Sequence, residues 1–262
     1  KFLGPTEGQM ACGEFGKGKM LSPKKIFTEI KNYFYKRDIV KNKKFKALVT
    51  TGPTREYLDP IRYISNESSG KQGYEIALAL KRMGVKTTLI AGPSNLQIEK
   101  GLKVIKVKTS DEMFSAVKKS LPVDVAVCTA AVSDFKPSTF KKNKMKKNKS
   151  KERIDLDGTI DILNYIGKNN QHRPKLVIGF SAETEKLLHN SKIKLKSKNA
   201  DWIIANDVSK KDIGFNKDYN AVTIICSDGK VFQIKKNKKS FIASIISGEI
   251  IKKLLINDKS LN

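Results

Sequence analysis

The residues best suited to chemistry lie in one stretch, Thr50 to Gly73, which reads TTGPTREYLDPIRYISNESSGKQG. Ser68, Ser69 and Gly70 stand directly before a run whose apolar residues recur at helical spacing. Hydroxyl groups and an unhindered backbone at the start of a helix can hold a phosphate, because the first N–H groups of a helix have no internal partner. An ordinary N-cap and turn would use the same residues. The length of the loop, which also contains Asn66, favours a phosphate site.

A second candidate site is the end of the apolar run VAVCTAAVSD at residues 125–134. Small side chains at the end of a buried strand let a ligand approach the backbone closely. The carboxylate of Asp134 could then meet a sugar hydroxyl, an amine or a metal ion. The alternative is that Ala130 and Ala131 only pack beneath a helix. Phe180 ends a later apolar run, where it could stack on a base or belong to the core.

Lysines provide the remaining candidates. The segment from Lys136 to Arg153 holds nine basic residues and one acidic residue, and its composition alone predicts a disordered loop. Lys194 and Lys198 lie one helical turn apart and therefore share a helix face. Most lysine pairs of this kind are simply solvated.

Strands and helices alternate from Lys46 onward, which predicts an α/β fold: a Rossmann-like, mostly parallel sheet with helices on both faces. The predicted strands are Ala47–Thr51, Thr87–Ala91, Val104–Val107, Val123–Ala130, Leu176–Ser181 and Trp202–Ala205. The predicted helices are Lys71–Met83, Asp111–Leu121, Asp161–Lys168, Thr184–Lys198 and Ser240–Leu255. A C-terminal hairpin is predicted where Ala221–Cys226 and Val231–Ile234 flank Ser-Asp-Gly-Lys. Ligands of such sheets bind at the carboxyl ends of the strands, so we expect the candidate residues to meet there.

The stretch GPTREYLDPIRYISNESSGKQG resembles the signature of phosphopantothenate-cysteine ligase, a coenzyme A biosynthetic family usually fused in bacteria behind a flavin-dependent decarboxylase. The resemblance implies that 4'-phosphopantothenate and cysteine are joined through an acyl-cytidylate made from CTP, with Mg²⁺ on the triphosphate. It also implies a homodimer, whereas the expectation of a cytoplasmic protein comes from the odd number of cysteines considered below. CTP rather than ATP follows only from the bacterial type of fusion, and the metal ligands stay unknown.

The same resemblance assigns roles to individual residues. Asn66 would orient the intermediate, Ser68 to Gly70 would hold phosphopantothenate, and Lys144 would contact the triphosphate. Lys144 lies in K-M-K-K, which matches K-I-K-K of a flexible strap that in the family folds over the site and reaches the partner subunit. We call Lys136–Arg153 the strap. The residues expected to contact the nucleotide are Cys128, Thr129, Ala130, Asp134, Lys144, Ile160, Asp161, Ile162, Leu163, Phe180, Lys194 and Lys198.

The N-terminal part resembles the tail of the decarboxylase domain. ACGEFGKGKM reads as a Gly-rich loop, with Cys12 matching a cysteine that protonates an enethiolate in that family. Ser22 and Pro23 predict the start of an amphipathic helix. We therefore expect residues 1–35 to be a decarboxylase remnant, 36–45 a polar linker with little to bury, and 46–262 the ligase domain. FMN would belong only to the missing decarboxylase part, so we expect this chain alone neither to decarboxylate nor to hold FMN tightly.

Composition limits the other classes. The net charge is +26 over 262 residues, but only six of the 52 basic residues are Arg. Diffuse lysine without a reading motif does not predict a nucleic-acid partner. No apolar run is long enough for a membrane span, and three widely spaced cysteines with two histidines favour a reducing compartment without a structural zinc.

The main rival is a Rossmann-type NAD(P)-dependent oxidoreductase. Such an enzyme requires G-x-G-x-x-G in the first turn and an acid after the second strand. The chain instead has Gly52-Pro53-Thr54-Arg55 in the first turn and Gly92-Pro93-Ser94 after the second strand.

Overall fold

A computed structural model describes residues 3–9, 13–27, 29–30, 44–146, 153–169, 171–183, 185–207 and 217–259. The chain forms two compact units, Lys1–Lys44 and Phe45–Asn262.

The first unit contains a β-hairpin and a short helical segment. β1 (Thr6–Gln9) pairs antiparallel with β2 (Phe15–Lys19), so residues 15–19 form a strand where the sequence predicts a loop. Glycine residues are compatible with such a hairpin, because backbone groups alone make the hydrogen bonds between its two strands. Helix begins at residue 23 as predicted, and the Ser22 carbonyl accepts the N–H groups of Lys25 and Ile26.

Within the described residues, the second unit contains twelve strands, eight of which form its main sheet. In chain order its strands are β3 (Lys46–Thr51), β4 (Arg55–Tyr57), β5 (Tyr63–Ser65), β6 (Lys86–Ala91), β7 (Lys103–Lys106), β8 (Val125–Cys128), β9 (Phe135–Pro137), β10 (Leu156–Gly158), β11 (Leu176–Glu183), β12 (Trp202–Asp207), β13 (Tyr219–Cys226) and β14 (Val231–Lys238). The main sheet has the order β14-β13-β12-β11-β8-β3-β6-β7. It is parallel from β12 to β7, while β13 and β14 run antiparallel. The carboxyl ends of six strands therefore share one edge, and β13 begins and β14 ends at that edge.

In the part of the chain that the structure describes, five helices cover the two faces of the sheet. They are α1 (Lys71–Arg82), α2 (Ser110–Ser120), α3 (Ile162–Gly167), α4 (Leu187–Ser197) and α5 (Lys239–Lys259). Met113, Ile166 and Leu195, one from each of α2, α3 and α4, share a core cluster with Leu48 and Val177 of the sheet. α1 and α5 pack against each other on the opposite face. Among the described helices, none combines the length and apolarity needed to cross a bilayer.

The predicted fold class is confirmed, and the differences concern ends and small elements. The strand predicted over 123–130 is only Val125–Cys128, because Thr129 leaves the ladder and donates its N–H and hydroxyl to the Thr50 carbonyl. The helix predicted from residue 184 begins at Leu187, after Lys186 with φ 46°.

Two short hairpins lie in stretches that we expected to be loops. The long loop after β3 contains the β4–β5 pair, and β9 pairs with β10 on either side of the strap. Each of these strands has three residues, which is too few for an alternating pattern to stand out.

Phe45 is the residue at which the predicted linker, expected to have little to bury, differs from the structure. It is 2% exposed and its carbonyl accepts the N–H of Lys86 at 2.9 Å. It is the first residue of the second unit, whereas linker residues 36–43 lie outside the described residues. The assignment of residues 1–35 to a decarboxylase remnant stays a prediction.

Candidate functional site

A cavity of about 720 Å³ opens at the carboxyl edge of the parallel strands. We call it the edge cavity. It lies where β3, β8 and β11 end, and it reaches both faces of the sheet. The predicted site residues that line it are Asn66, Ser68, Ser69, Gly70, Cys128, Thr129, Ala130, Asp134, Ile160, Asp161, Ile162, Leu163, Phe180 and Lys194. Residues more than 100 positions apart in the chain are thus brought to one place, and their individual roles stay predictions.

The turn before α1 forms one wall of the cavity. Its N-cap is Gly70, with φ 72° and no side chain, so neither serine is the N-cap residue of α1. The serine hydroxyls act within the turn instead: Ser68 Oγ accepts the N–H of Gly70 at 3.3 Å and Ser69 Oγ accepts the N–H of Lys71 at 3.5 Å. The next N–H groups of the first turn, on Gln72 and Gly73, have no intrahelical acceptor. Both residues line the cavity, so this turn can still receive an anion.

Close backbone packing fixes that turn. The Thr51 hydroxyl donates to the Gly70 carbonyl at 2.6 Å. A Cβ on Gly73 would lie 2.5 Å from Thr51 Oγ1 and closer still to Thr129 Oγ1. Only glycine therefore lets α1 begin this near to β3 and β8.

Asn66 lies on the wall between the turn and β8. Its Nδ2 donates to the Val132 carbonyl at 3.0 Å. This bond crosses 66 positions of the chain and holds the amide beside the cavity mouth. Asn66 can thus meet a ligand that also touches the small residues after β8.

The opposite wall belongs to α3 and α4. Asp161 is the N-cap of α3: its Oδ1 accepts the Asn164 N–H at 2.8 Å, and its Oδ2 lies 2.7 Å from Lys198 Nζ. Burial opposes ionisation, but the bonds from Lys198 and Asn164 hold the pKa of Asp161 below its ordinary value. Lys194 lines the cavity and donates to the Phe180 carbonyl at 3.0 Å. Lys198 does not line the cavity, and its ammonium forms an ion pair with Asp161.

The thiol of Cys128 lies at the floor of the cavity. Burial raises its pKa to about 12, and the nearby charge of Asp161 acts in the same direction. The raised pKa keeps the side chain a neutral thiol at physiological pH.

The strap contacts the β4–β5 hairpin, at residues that do not line the cavity. Asp59, fully buried, accepts the N–H groups of Ile61 and Arg62 on Oδ1 and that of Met145 on Oδ2 at 3.1 Å. The Arg62 guanidinium in turn donates to the Met145 carbonyl at 2.9 Å. The N–H of Arg62 is the main cause of a pKa of Asp59 below its ordinary value. One carboxylate therefore joins the β4–β5 hairpin to the strap.

Lys144 is exposed and does not line the cavity in this arrangement. Its expected contact with a triphosphate would require the strap to move, and that role stays a prediction. Cys12 and Lys147 lie outside the described residues.

Sequence reasoning did not identify several lining residues. They are Thr50, Thr51, Lys71, Gln72, Gly73, Thr159, Ser181, Ala182, Asn220 and Lys239, and Asn206 had no assigned role. Asn206 Oδ1 is buried without a hydrogen-bond partner in the described part of the chain. Asn220 reaches the edge because β13 runs opposite to β12 and begins there, and Lys239 reaches it because β14 turns back along β13 and ends there. No local signal marks a single lysine in a lysine-rich chain.

Comparison with known proteins gives consistent matches. The model of the DNA/pantothenate metabolism flavoprotein C-terminal domain family matches residues 42–254. The coenzyme A biosynthesis bifunctional protein CoaBC of Haemophilus influenzae is 37% identical over 97% of this chain, and that of Bacillus subtilis is 38% identical over 87%. The chain spans only 62% and 56% of the length of these relatives. A crystal structure of the C-terminal domain of CoaBC is 33% identical with a TM-score of 0.68, covering 82% of this chain and 96% of that one.

Proposed function

Because this chain belongs to the family of the DNA/pantothenate metabolism flavoprotein C-terminal domain, we propose that it ligates cysteine to 4'-phosphopantothenate in coenzyme A biosynthesis, with CTP as the activating nucleotide. The observation that carries the proposal is the edge cavity. One side of the cavity has the turn before α1, the amide of Asn66 and the carboxylate of Asp134, and the other side has Lys194 and Phe180. Such a cavity suits two large anionic substrates that must react with each other. No structural observation favours an oxidoreductase.

The first step activates a carboxylate, whose oxygen is a poor leaving group. The carboxylate oxygen of 4'-phosphopantothenate attacks the α-phosphate of CTP, and the P–O bond to pyrophosphate breaks. The products are acyl-cytidylate and pyrophosphate. Lys194, whose ammonium is held beside Phe180, would neutralise nucleotide charge, and Lys144 would add a second cation when the strap closes.

The second step forms the amide. The neutral amine of cysteine attacks the acyl carbon, CMP leaves with the bonding electron pair, and the amine loses a proton. Asn66 would orient the acyl-cytidylate for this attack, since its amide is fixed through Val132 at the cavity mouth. The enclosed cavity would keep water from the mixed anhydride.

Mg²⁺ would accompany the nucleotide. Protein sites for this ion use one or two carboxylates together with substrate phosphates. Within the described ranges, no cluster of three or more His, Cys, Asp or Glu side chains is placed to hold a metal. Asp134, Asp161 and Glu67 line the cavity, and Asp161 is committed to Lys198. Asp134 and Glu67 are therefore the lining carboxylates that could hold the ion, which would neutralise charge on the leaving pyrophosphate.

The decarboxylase step and FMN would belong to the remainder of a fused protein of the CoaBC type. We place the reaction in the cytoplasm, where a reducing environment keeps thiols such as Cys128 and Cys226 free.

A homodimer would bury the apolar residues of two adjoining hairpins. β4 packs against β9, and the Lys141 N–H donates to the Leu58 carbonyl at 2.9 Å. On these hairpins and the strap, Ile61, Phe135 and Phe140 are all more than half exposed. Several large apolar side chains exposed on neighbouring segments suit a surface that a second copy of the chain would cover.

The test is a reconstitution. The protein is incubated with CTP, Mg²⁺, 4'-phosphopantothenate and cysteine, and CMP and pyrophosphate are measured. CMP release should require all four components, whereas pyrophosphate release should not require cysteine in the first turnover. Replacing cysteine by glycine and CTP by ATP supplies the controls. Absence of cysteine-dependent CMP from folded protein would refute the proposal.

A further inference from the structure

One buried titratable group, the carboxylate of Asp59, has no part in the reaction proposed above. Asp59 is fully buried and does not line the edge cavity. Burial of a charged group is costly unless hydrogen bonds satisfy it. Hydrogen bonds, that of the Arg62 N–H foremost, hold the pKa of Asp59 below its ordinary value. The side chain is therefore ionised at physiological pH, and its partners indicate what it does.

The two oxygens of Asp59 bind different segments of the chain. Oδ1 accepts the N–H groups of Ile61 and Arg62, both at 2.8 Å, and so closes the turn of the β4–β5 hairpin. The backbone also closes this turn, because the Leu58 and Asp59 N–H groups donate to the Arg62 carbonyl at 2.9 and 3.4 Å. Oδ2 accepts the N–H of Met145 at 3.1 Å. The turn therefore has hydrogen bonds of its own, whereas Oδ2 binds the strap.

The Arg62 side chain completes the contact with the strap. Its Nε lies 3.8 Å from Asp59 Oδ2, and its Nη2 donates to the Met145 carbonyl at 2.9 Å. The N–H and the carbonyl of Met145 are thus both bonded to one ion pair. Earlier in the strap, the Lys141 N–H donates to the Leu58 carbonyl at 2.9 Å. The strap is therefore attached to the hairpin turn at two points.

Lys144 lies between these two points of attachment, is exposed and does not line the cavity. The turn is at the far end of the hairpin, because β5 leads from Arg62 back to Asn66, the first lining residue after it. At about 3.3 Å per residue, these two residues are about 13 Å apart. A lysine side chain has five bonds and extends less than about 8 Å. Lys144 therefore reaches the cavity of its own chain only after the strap leaves the turn.

We propose that Asp59 is a positioning residue of the ligase, which holds the strap in a resting position and keeps Lys144 out of the edge cavity until the nucleotide binds. This role rests on the proposed function, in which Lys144 contacts the triphosphate. With the strap at the turn, the cavity is open to substrates. The triphosphate draws the strap away because it binds Lys144 only in the second position, and only such a difference shifts a two-state balance.

This hold on the strap weakens nucleotide binding. A ligand that needs a minor state binds with an affinity reduced by the fraction of molecules in that state. Loss of a hydrogen bond to a charged group changes an equilibrium by about tenfold or more. Release of the strap from Asp59 should therefore tighten the binding of CTP by about tenfold.

The test replaces Asp59 by asparagine. The amide keeps one oxygen, which still accepts the N–H groups of Ile61 and Arg62, but its other atom is an NH2 group that cannot accept from Met145. Asp155→Asn is the matched control, because Asp155 is exposed and lies just beyond the end of the strap. Urea denaturation establishes that both variants are folded before they are compared.

The first measurement needs neither substrate nor turnover. Amide hydrogen exchange is followed by NMR in the intact chain, and the Met145 N–H should exchange about tenfold or more faster in Asp59→Asn than in the unchanged protein. The same amide should exchange within about twofold of the unchanged rate in Asp155→Asn. An unchanged rate in Asp59→Asn would overturn the inference, since Asp59 would then not hold the strap.

The second measurement is the affinity for CTP with Mg²⁺, obtained by titration calorimetry. Asp59→Asn should bind CTP about tenfold more tightly, and Asp155→Asn should bind it as the unchanged protein does. The gain should disappear when Lys144→Met is added, because the released strap then carries no ammonium at that position. A purely structural role for Asp59 predicts weaker binding of CTP, or none of this dependence on Lys144, and either result would overturn the inference.

Turnover separates this inference from the proposed function. In the steady state, Asp59→Asn should lower KM for CTP and leave KM for 4'-phosphopantothenate unchanged. Tighter CTP binding by Asp59→Asn in a protein that releases no CMP would sustain the hold of Asp59 on the strap and refute the proposed reaction. Cysteine-dependent CMP release with equal CTP affinity in both proteins would support the reaction and overturn the role of Asp59.

Discussion

Replacing Gly73 by alanine tests whether close contact at the start of α1 shapes the edge cavity. The new Cβ would lie 2.5 Å from Thr51 Oγ1 and 2.8 Å from Thr51 Cβ, so the helix or the threonines must shift. Overpacking of this kind costs about 1–3 kcal/mol. The shift also breaks at least one of two hydrogen bonds, from Thr51 to Gly70 or from Thr129 to Thr50, for about 0.5–1.5 kcal/mol more. We expect Gly73→Ala to lower the free energy of unfolding by about 1.5–4.5 kcal/mol.

The assay is urea denaturation followed by circular dichroism. The control is Gly248→Ala, because a Cβ on that helical glycine would meet no atom within 4 Å. This control should be neutral or stabilising by about 0.5–1 kcal/mol. Thr129→Ala in the Gly73→Ala background removes one of the clashing oxygens, so the double variant should be more stable than the two separate effects predict. A loss below about 0.5 kcal/mol for Gly73→Ala would refute the reasoning. Displacement of the turn should also raise KM for the phosphorylated substrates, whereas Gly248→Ala should leave KM unchanged.

Three further outcomes are expected. Asn66→Asp should still release pyrophosphate in the first turnover but slow CMP release by about a hundredfold or more; normal amide formation would contradict its role in the second step. Because the pKa of Cys128 is about 12, iodoacetamide at pH 7.5 should leave this thiol unlabelled in the folded protein and label it in urea, as measured by peptide mass spectrometry. Rapid labelling of Cys128 in the folded protein would contradict the raised pKa of the thiol. Phe135→Lys should halve the mass measured by sedimentation, whereas Leu188→Lys, exposed on α4, should not; an unchanged mass for both would exclude this surface as the dimer interface.

The main sheet could be predicted because its strands are long apolar runs. Alternation from Lys46 onward fixed the order of the elements, and the Ser-Asp-Gly-Lys turn marked the C-terminal hairpin. The three-residue strands of β4, β5, β9 and β10 could not be predicted in the same way, because their stability comes from contacts with each other rather than from a pattern. Phe45 was misassigned for a related reason: one apolar residue in a basic stretch carries no periodicity.

The candidate site was predictable to the extent that its residues follow strand ends. Asn66 and Asp134 lie in the loops that follow β3 and β8, and Phe180 lies in the carboxyl half of β11, so the shared carboxyl edge brings them together. Lys239 follows an antiparallel strand, and its position depends on the pairing of β13 with β14 and β12. Lys144 lies outside the lining because the contacts of Asp59 hold the neighbouring Met145 against the β4–β5 hairpin, which composition cannot reveal.

The buried carboxylate of Asp59 has a consequence for how this protein can change over evolutionary time. Its oxygens accept the backbone N–H groups of Ile61, Arg62 and Met145. A substitution of Asp59 would therefore disturb two surface segments that are far apart in the chain. The hairpin and the strap cannot vary independently while they share that group. Laboratory selection for faster or slower movement of the strap should accordingly recover compensating changes at residues 58–62, more than 70 positions from the segment under selection.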